Sequence, residues 1–345
     1  MAVKQKDIAS YLNIDPSSVS YALKGGGSVS QSTRRQVQKV ARKMGYRPNL
    51  LAKGMRTGKT GTIGMLAGGD FQRLEEQFRQ IETAVRQAGF QVLMGHGVSN
   101  VSDATPEQII ETELSQLDQF IRFGVDGLII QSAVIYLDKD DQKRYWDRAH
   151  GMIPQDVGVV VFDSPGDHGF IQMGVDRHQW GHEAGSILRN LGYEKLLYIG
   201  SKDTHFSRQL YQGLQSVAGL KCQIEQINII DRKSVSEGYR TALSLQENRA
   251  QVLVAANALI AHGLLVGLLG RMILVPQELS LIALDRGEIL QWPPKAIGSI
   301  QYQPDQLTYS IWKSLQNILT GNPVRREIEL DICFERGETV MEIGK

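Results

Sequence analysis

Cysteine is almost absent from this 345-residue chain. Cys222 and Cys333 each stand alone in their neighbourhood, which excludes a disulfide framework and any CxxC metal or redox motif. Long apolar runs are missing too: no stretch reaches the roughly 18 residues that a membrane-spanning helix needs. The N-terminal MAVKQKDIAS lacks the apolar segment of a secretory signal, so the expected location is the cytoplasm. Gly61-x-x-Gly64 with Gly68-Gly69 fits neither GxGxxG nor a Walker loop, and no Ser or Cys sits in a nucleophile elbow. His178 and His182 have a metal-like i,i+4 spacing without a third ligand, and Trp146, Trp180 and Trp292 read as packing residues. The expectation is a protein that is not an enzyme and takes no metal or cofactor.

Charge of one sign is scarce where it matters most. The net charge of +1 conceals an N-terminal segment, residues 1–59, with twelve Lys and Arg against Asp7 and Asp15, a net +10. The remaining residues carry 26 basic against 35 acidic side chains, a net −9. A basic module on an acidic body points to nucleic acid.

The basic segment has an ordered apolar pattern. Ile8 and Leu12 lie four apart on one helical face. Asp15 sits at an N-cap with Pro16 at N1, and the helix 16–24 buries Val19 and either Ala22 or Leu23 before Gly25-Gly26-Gly27 ends it. Ser30 caps a third helix, 31–44, whose Val37, Val40, Ala41 and Met44 form a core stripe and whose other faces carry Arg34, Arg35, Lys39, Arg42 and Lys43. Two short helices, a turn and a third helix describe a helix-turn-helix, which sets its second helix in the major groove of double-stranded DNA. Ser17, Ser18 and Tyr21 are therefore the candidate base readers, and the basic residues and helix N-termini the phosphate contacts.

Beyond residue 60, strand and helix signals alternate, which predicts an α/β fold with parallel sheets and helices on both faces. Strands are expected at Thr62–Leu66, Phe90–Met94, Asp126–Ile130, Val157–Phe162, Lys195–Ile199, Ile224–Ile230, Val252–Ala255 and 279–284. Helices are expected through Phe71–Val85 and at 106–123, 178–191, 205–218, 235–247 and 258–270; Trp292-Pro293-Pro294 reads as a linker.

These residues resemble the lactose/galactose-repressor family of bacterial transcriptional regulators. The headpiece carries Asp7-Ile8-Ala9, Val19-Ser20, Val29-Ser30 with Thr33-Arg34, and Gly45-Tyr46-Arg47-Pro48-Asn49 with Ala52. The body carries Val125-Asp126-Gly127-Leu128-Ile129-Ile130, Val175-Asp176 with Gly181, Leu191-Gly192-Tyr193, and Pro276 with Leu279-Ser280. The resemblance implies a headpiece at 1–47, a hinge at 48–59 and a two-subdomain periplasmic-binding-protein-like core at 60–345. Its first subdomain is expected at about 60–164 and 290–320, its second at about 165–289 and 321–345. It also implies a homodimer on paired operator half-sites, with no membrane partner.

The DNA-binding set it implies adds Asp15, Pro16, Lys24, Ser28, Ser30, Thr33, Arg34, Asn49, Ala52 and Lys53 to the base readers, with Met55 as an apolar wedge between base pairs. Gly54 departs from the pattern, being unfavourable in a hinge helix by about 1 kcal/mol against Ala. Ligands in such folds meet the carboxyl ends of strands, which selects Gln131, Asp163, Asn257 and Asp285, with Tyr302, as effector-binding residues. The family's gripping Arg is Leu210 here, three before Gly213, and its Asn-Asp pair is Asn257-Ala258. The loop Ala67-Gly68-Gly69-Asp70 is shorter than usual. The reading is a sequence-specific regulator, a repressor controlled by a small molecule such as a sugar or related metabolite. The alternative is a ligand-independent regulator controlled by its abundance or by a protein partner.

Overall fold

The computed structural model describes residues 3–24, 29–46, 59–68, 71–99, 101, 103–164, 168–201, 205–226, 235–245, 250–285, 287–292, 294–324 and 331–343. The chain divides into two compact units, Met1–Thr60 and Gly61–Lys345.

In the first unit, α1 is Gln5–Leu12, α2 is Pro16–Lys24 and α3 is Gln31–Lys43. Asn13 takes a left-handed conformation (φ 51°) after α1, and its neighbour Ile14 donates its N–H to the Ala9 carbonyl at 3.1 Å. Such a reversal suits the short polar side chain of Asn. At the far end, Gly45 (φ +67°) stops α3, with the Tyr46 N–H on the Ala41 carbonyl at 2.9 Å and the Gly45 N–H on that of Arg42 at 3.2 Å. Those paired bonds form a Schellman cap, which needs the positive φ that Gly adopts without strain. Ile8, Ala9, Val19, Ala22, Val37, Val40 and Ala41 make the core. Ala22 is the fully buried member of the Ala22/Leu23 pair.

The second unit contains two sheets. The first uses β1 Thr62–Ala67, β2 Gln91–His96, β3 Gly127–Gln131, β4 Gly158–Phe162 and β5 Ile171–Met173, in the order β2-β1-β3-β4-β5, all parallel. The second uses β6 Lys195–Gly200, β7 Lys221–Gln226, β8 Val252–Ala255, β9 Ser280–Ala283, β10 Gly298–Tyr302 and β11 Ile332–Glu335, in the order β11-β10-β9-β8-β6-β7. Only the β10–β11 pairing is antiparallel. Helices cover both faces: α4 Phe71–Gln87 and α11 Pro304–Leu319 lie on one side of the first sheet, α5 Pro106–Arg122 and α6 Lys139–Met152 on the other. The second sheet has α7 Arg177–Asn190 and α8 His205–Gln215 on one face, α9 Val235–Ser244 and α10 Ala258–Gly270 on the other. Every residue of β3, β4, β8, β9 and β10 is buried, as a parallel sheet covered twice requires.

The layer boundaries differ from the sequence expectation. β5, placed by sequence in the second subdomain, pairs with β4 in the first sheet, while β10, expected in the first, hydrogen-bonds to β9 and β11. The chain returns to the first layer one step later, at α11, which packs on α4, β3 and β4. Local pattern identifies a buried strand but not which sheet edge accepts it.

The α7–α8 contact depends on missing side chains. A Cβ at Gly181 would lie 2.2 Å from the Leu210 carbonyl oxygen, and one at Gly213 would lie 2.1 Å from that of His178. Because both obstacles are backbone, relief requires the helices to part. Gly213→Ala is expected to destabilise the core by about 1–3 kcal/mol or more. Urea unfolding measures this, and an unchanged midpoint would mean the helices separate freely.

Candidate nucleic-acid interface and ligand cleft

α2 presents two distinct faces. Val19 and Ala22 are buried, while Ser17 and Tyr21, four apart, are exposed, Tyr21 by 51%. Ser18 is half-buried beside them, and Lys24 closes the helix. Asp15 accepts the Ser17 N–H through Oδ1 at 2.7 Å, and hydrogen bonding from the Ser17 hydroxyl, together with this N–H, holds its carboxyl below the usual range. Pro16 follows at N1. Ser30 Oγ caps α3 by accepting the Thr33 N–H at 3.1 Å and lies 2.8 Å from the Thr33 hydroxyl. Arg34 is half-buried, and its Nε has no hydrogen-bond partner. Lys43 lies over the Tyr11 ring, 5.7 Å from its centroid. Ser28, Asn49, Ala52, Lys53 and Met55 lie outside the described residues, as do Gly69 and Asp70 of the short loop.

In each sheet of the core, strand order reverses beside the first strand of its set: between β1 and β3, and between β6 and β8. Clefts form at the carboxyl ends of strands at such reversals. Gln131 ends β3, fully buried, with no partner for Oε1 and its Nε2 3.4 Å from the Ser132 carbonyl. Asp163 follows β4, buried, in a left-handed conformation (φ 47°) that is uncommon outside Gly, Asn and Asp.

The sequence reading missed the partner of Asp163. Arg177, at the first position of α7, is buried and donates from Nη2 to Asp163 Oδ1. Its guanidinium lies over the Phe206 ring, 4.0 Å from the centroid, and 5.9 Å from that of Trp180, and its Nε is unpartnered. Tyr136 meets Phe206 edge-on at 6.3 Å, completing a chain of contacts between the two layers. A cation in the first turn of a helix opposes the macrodipole, and that was the available signal.

Asn257 and Asp285 are engaged with α10. Asn257 accepts the Ile260 N–H at 2.9 Å as N-cap, and Asp285 Oδ2 accepts the Ala258 N–H at 3.0 Å. Tyr302 is buried edge-on against Trp180 at 5.5 Å. Leu210, at the position of the family's Arg, lies in the core, while Arg208 is exposed.

A second buried acid stands behind β3. Glu113 of α5 accepts the Ser132 hydroxyl at 2.5 Å and the Ala133 N–H at 2.8 Å. Burial pushes its carboxyl up to about 7, against the lowering effect of those bonds and of Tyr145. Its sequence signal is a carboxylate set into the stripe Ile110, Leu114, Leu117, Phe120. Among the described residues no cluster of three metal-ligating side chains occurs, and no helix is long and apolar enough to cross a membrane.

Residues 5–49 match the description "Bacterial regulatory proteins, lacI family", and residues 186–340 match "Periplasmic binding protein-like domain". The chain is 24% identical to catabolite control protein A of Staphylococcus epidermidis over 339 residues, covering 95% of each chain. It is 24% identical to the sucrose operon repressor of Staphylococcus xylosus over 263 residues, 76% of this chain and 73% of that one. The fold matches a crystal structure of the lac repressor dimer bound to operator and the anti-inducer ONPF with a TM-score of 0.78, at 16% identity, over 99% of this chain and 100% of that one.

Asp163 and Glu113 yield predictions. Arg177→Met removes the guanidinium from the buried Asp163 carboxylate and should cost about 3–5 kcal/mol, whereas Asp163→Asn with Arg177→Met should cost less than the two single changes added together. Urea unfolding of the four proteins checks this, and additive losses would show that the two residues do not act as a pair. For Glu113, the folded pKa lies above the unfolded value of 4.5. The associated stability is therefore complete below about pH 4.5 and lost as pH rises through 7. Glu113→Gln should remove roughly 3 kcal/mol of that pH dependence. Parallel unfolding curves for variant and wild type across this range would contradict it.

Proposed function

We infer that this chain, which belongs to the lacI family of bacterial regulatory proteins and carries a periplasmic-binding-protein-like core, is a sequence-specific DNA-binding regulator of transcription. It acts as a cytoplasmic homodimer on paired operator half-sites and represses when bound, and it has no catalytic activity. The observation that carries this reading is the exposed Ser17–Tyr21 face of α2, on a unit of net charge +10 whose core is formed by the opposite face of that helix with α1 and α3. Support comes from the relatives: one is named a repressor, and the lac repressor has been solved as a dimer on operator.

A small molecule held between the core layers controls operator affinity, and Gln131, Asp163 and Arg177 line its site. A sugar or related metabolite suits the resemblance and the sucrose operon relative. A second reading, control without a ligand, is favoured by one observation: Asp163, Asn257 and Asp285 all have partners within the protein. A metabolite screen by thermal shift on the whole chain separates the two. A compound that stabilises the wild type but not Asp163→Ala supports the first, and a screen in which nothing stabilises the wild type supports the second.

On DNA, Tyr21→Ala is expected to relax preference at one base pair, at about 1–3 kcal/mol, while Arg34→Ala weakens all sequences alike. Sites selected from randomised DNA provide the measurement. Equal loss on selected and random DNA for Tyr21→Ala would remove it from the base-reading set.

A further inference from the structure

We propose that Glu113 is the brace of one wall of the ligand cleft, and that a proton taken up by its carboxyl loosens the Gln131–Tyr136 segment and so changes the shape of the cleft. The inference rests on the reading that a ligand site lies at these strand ends, though its test needs no ligand.

The carboxyl acts through the turn that leaves β3. Oε2 takes the Ser132 hydroxyl at 2.5 Å, and Oε1 takes the Ala133 N–H at 2.8 Å. Ser132 Oγ in turn accepts the Val134 N–H at 3.2 Å, opening the 3-10 turn Ala133–Tyr136. On its other side the Ser132 N–H donates to Ser164 Oγ, next to Asp163, at 3.1 Å. Tyr136 ends the turn and meets Phe206 edge-on, and Phe206 carries the Arg177 guanidinium that pairs with Asp163. Each step from Glu113 to the cleft ion pair is thus a direct contact.

Among the described residues no cation pairs with the carboxyl. The groups facing it are the Ser132 hydroxyl, the Ala133 N–H and the Tyr145 hydroxyl of α6. The other charged residues of these two helices lie outward: Arg144 pairs with Glu107 and Asp141, Arg148 with Glu111 and Lys143 with Asp147, all partly or largely exposed. His150 of α6 turns to the His168 carbonyl. β1 has no ionisable side chain, and His96 at the end of β2 is exposed. A Cβ on Gly97, just past β2, would lie 3.2 Å from Glu113 Oε1, so the absence of a side chain there leaves space for the carboxyl.

Protonation changes the bonding it can offer. The ionised group accepts at both oxygens, and charge strengthens both bonds. The neutral acid places a hydrogen on one oxygen, which becomes a donor: toward Ala133 it meets another donor, and toward Ser132 it requires that hydroxyl to turn from donor to acceptor. Either the Ala133 bond is lost, or the Ser132 bond reverses onto an oxygen that already accepts the Val134 N–H, and both changes fall on the first residues of the turn. Burial sets this exchange near neutral pH.

The test uses the full chain labelled with 3-fluorotyrosine, the Tyr136 resonance being assigned by Tyr136→Phe. Across pH 5.5–8.5 the wild-type Tyr136 signal should move through a single one-proton step centred near pH 7. In Glu113→Gln it should stay fixed close to its low-pH position, because the amide is neutral and carries a donor on one side. A Tyr136 signal that ignores pH in the wild type, or titrates equally in Glu113→Gln, overturns the proposal. Should the Gln variant fail to fold, the Ala133 amide nitrogen of the wild type decides alone: it must follow the same midpoint, and a flat response overturns the brace. A negative result leaves the ligand reading untouched, and a failed ligand screen leaves the brace standing.

Discussion

Helices cover both faces of both sheets, and this constraint decides where polar chemistry can sit. A polar side chain inside a strand covered twice has neither water nor, in most positions, a partner, and an unpaired polar group costs of the order of 1–3 kcal/mol or more. β1, β4 and β8 accordingly contain no polar side chain beyond their first residue, and β3 is apolar until Gln131. Polar residues then gather just past the strands: Ser132, Asp163-Ser164, Ser201, Asn257 and Asp285. The cleft is the place where the fold lets hydrogen-bonding groups converge.

Asp163 with Arg177, and Glu113, are buried there and are accommodated differently. Asp163 and Arg177 neutralise one another across the layers, a pairing that tolerates low dielectric only while both partners remain. Glu113 has no cation and is held by a hydroxyl and a backbone N–H, so the proton itself becomes its alternative partner. The pair sits beyond β4 and the lone acid behind the exit of the adjacent β3, and Ser132 and Ser164 connect the two exits. Strain at Asp163, with its positive φ, is sustained by the ion pair and by its N–H on the Met173 carbonyl at 3.0 Å.

Sequence made the fold legible wherever one period dominated. β8 and α10 were placed to the residue, and β1, β3, β4 and α5 within one. α6 escaped because its stretch is mostly charged and only Tyr145, Trp146 and Ala149 face the core. β5 has three residues and a single neighbour, too little for any pattern. β10 carries Ser299 and Gln301 among its buried positions, which dilutes its apolar signal. α11 has a regular stripe of Leu307, Ile311, Trp312 and Leu315, but it follows a Pro-rich segment that reads as linker. At the site, strand-end position singled out Asp163, Asn257 and Asp285, of which Asp163 and Asp285 are buried and Asn257 half-buried, while their partners come from the tertiary structure. Arg177 is 14 residues from Asp163, and Glu113 lies 19 residues from Ser132. No spacing rule on one element joins such pairs.

The two binding surfaces differ in how much of their chemistry is already in use. On α2, Asp15 caps the helix by bonding Ser17, and Val19 with Ala22 fill the core, which leaves the Tyr21 ring exposed. That face is ready for a partner as it stands, so a rigid dock needs little rearrangement. The cleft is the opposite case: Asp163 holds Arg177, Asn257 and Asp285 hold the start of α10, and Ser132 holds Glu113. A ligand entering there must take over bonds the protein makes to itself. Its binding energy then depends on which internal partners have let go, and a ligand shifts a conformational equilibrium only through such differences between states. Under the ligand-controlled reading proposed above, self-engagement of the cleft would couple occupancy to conformation.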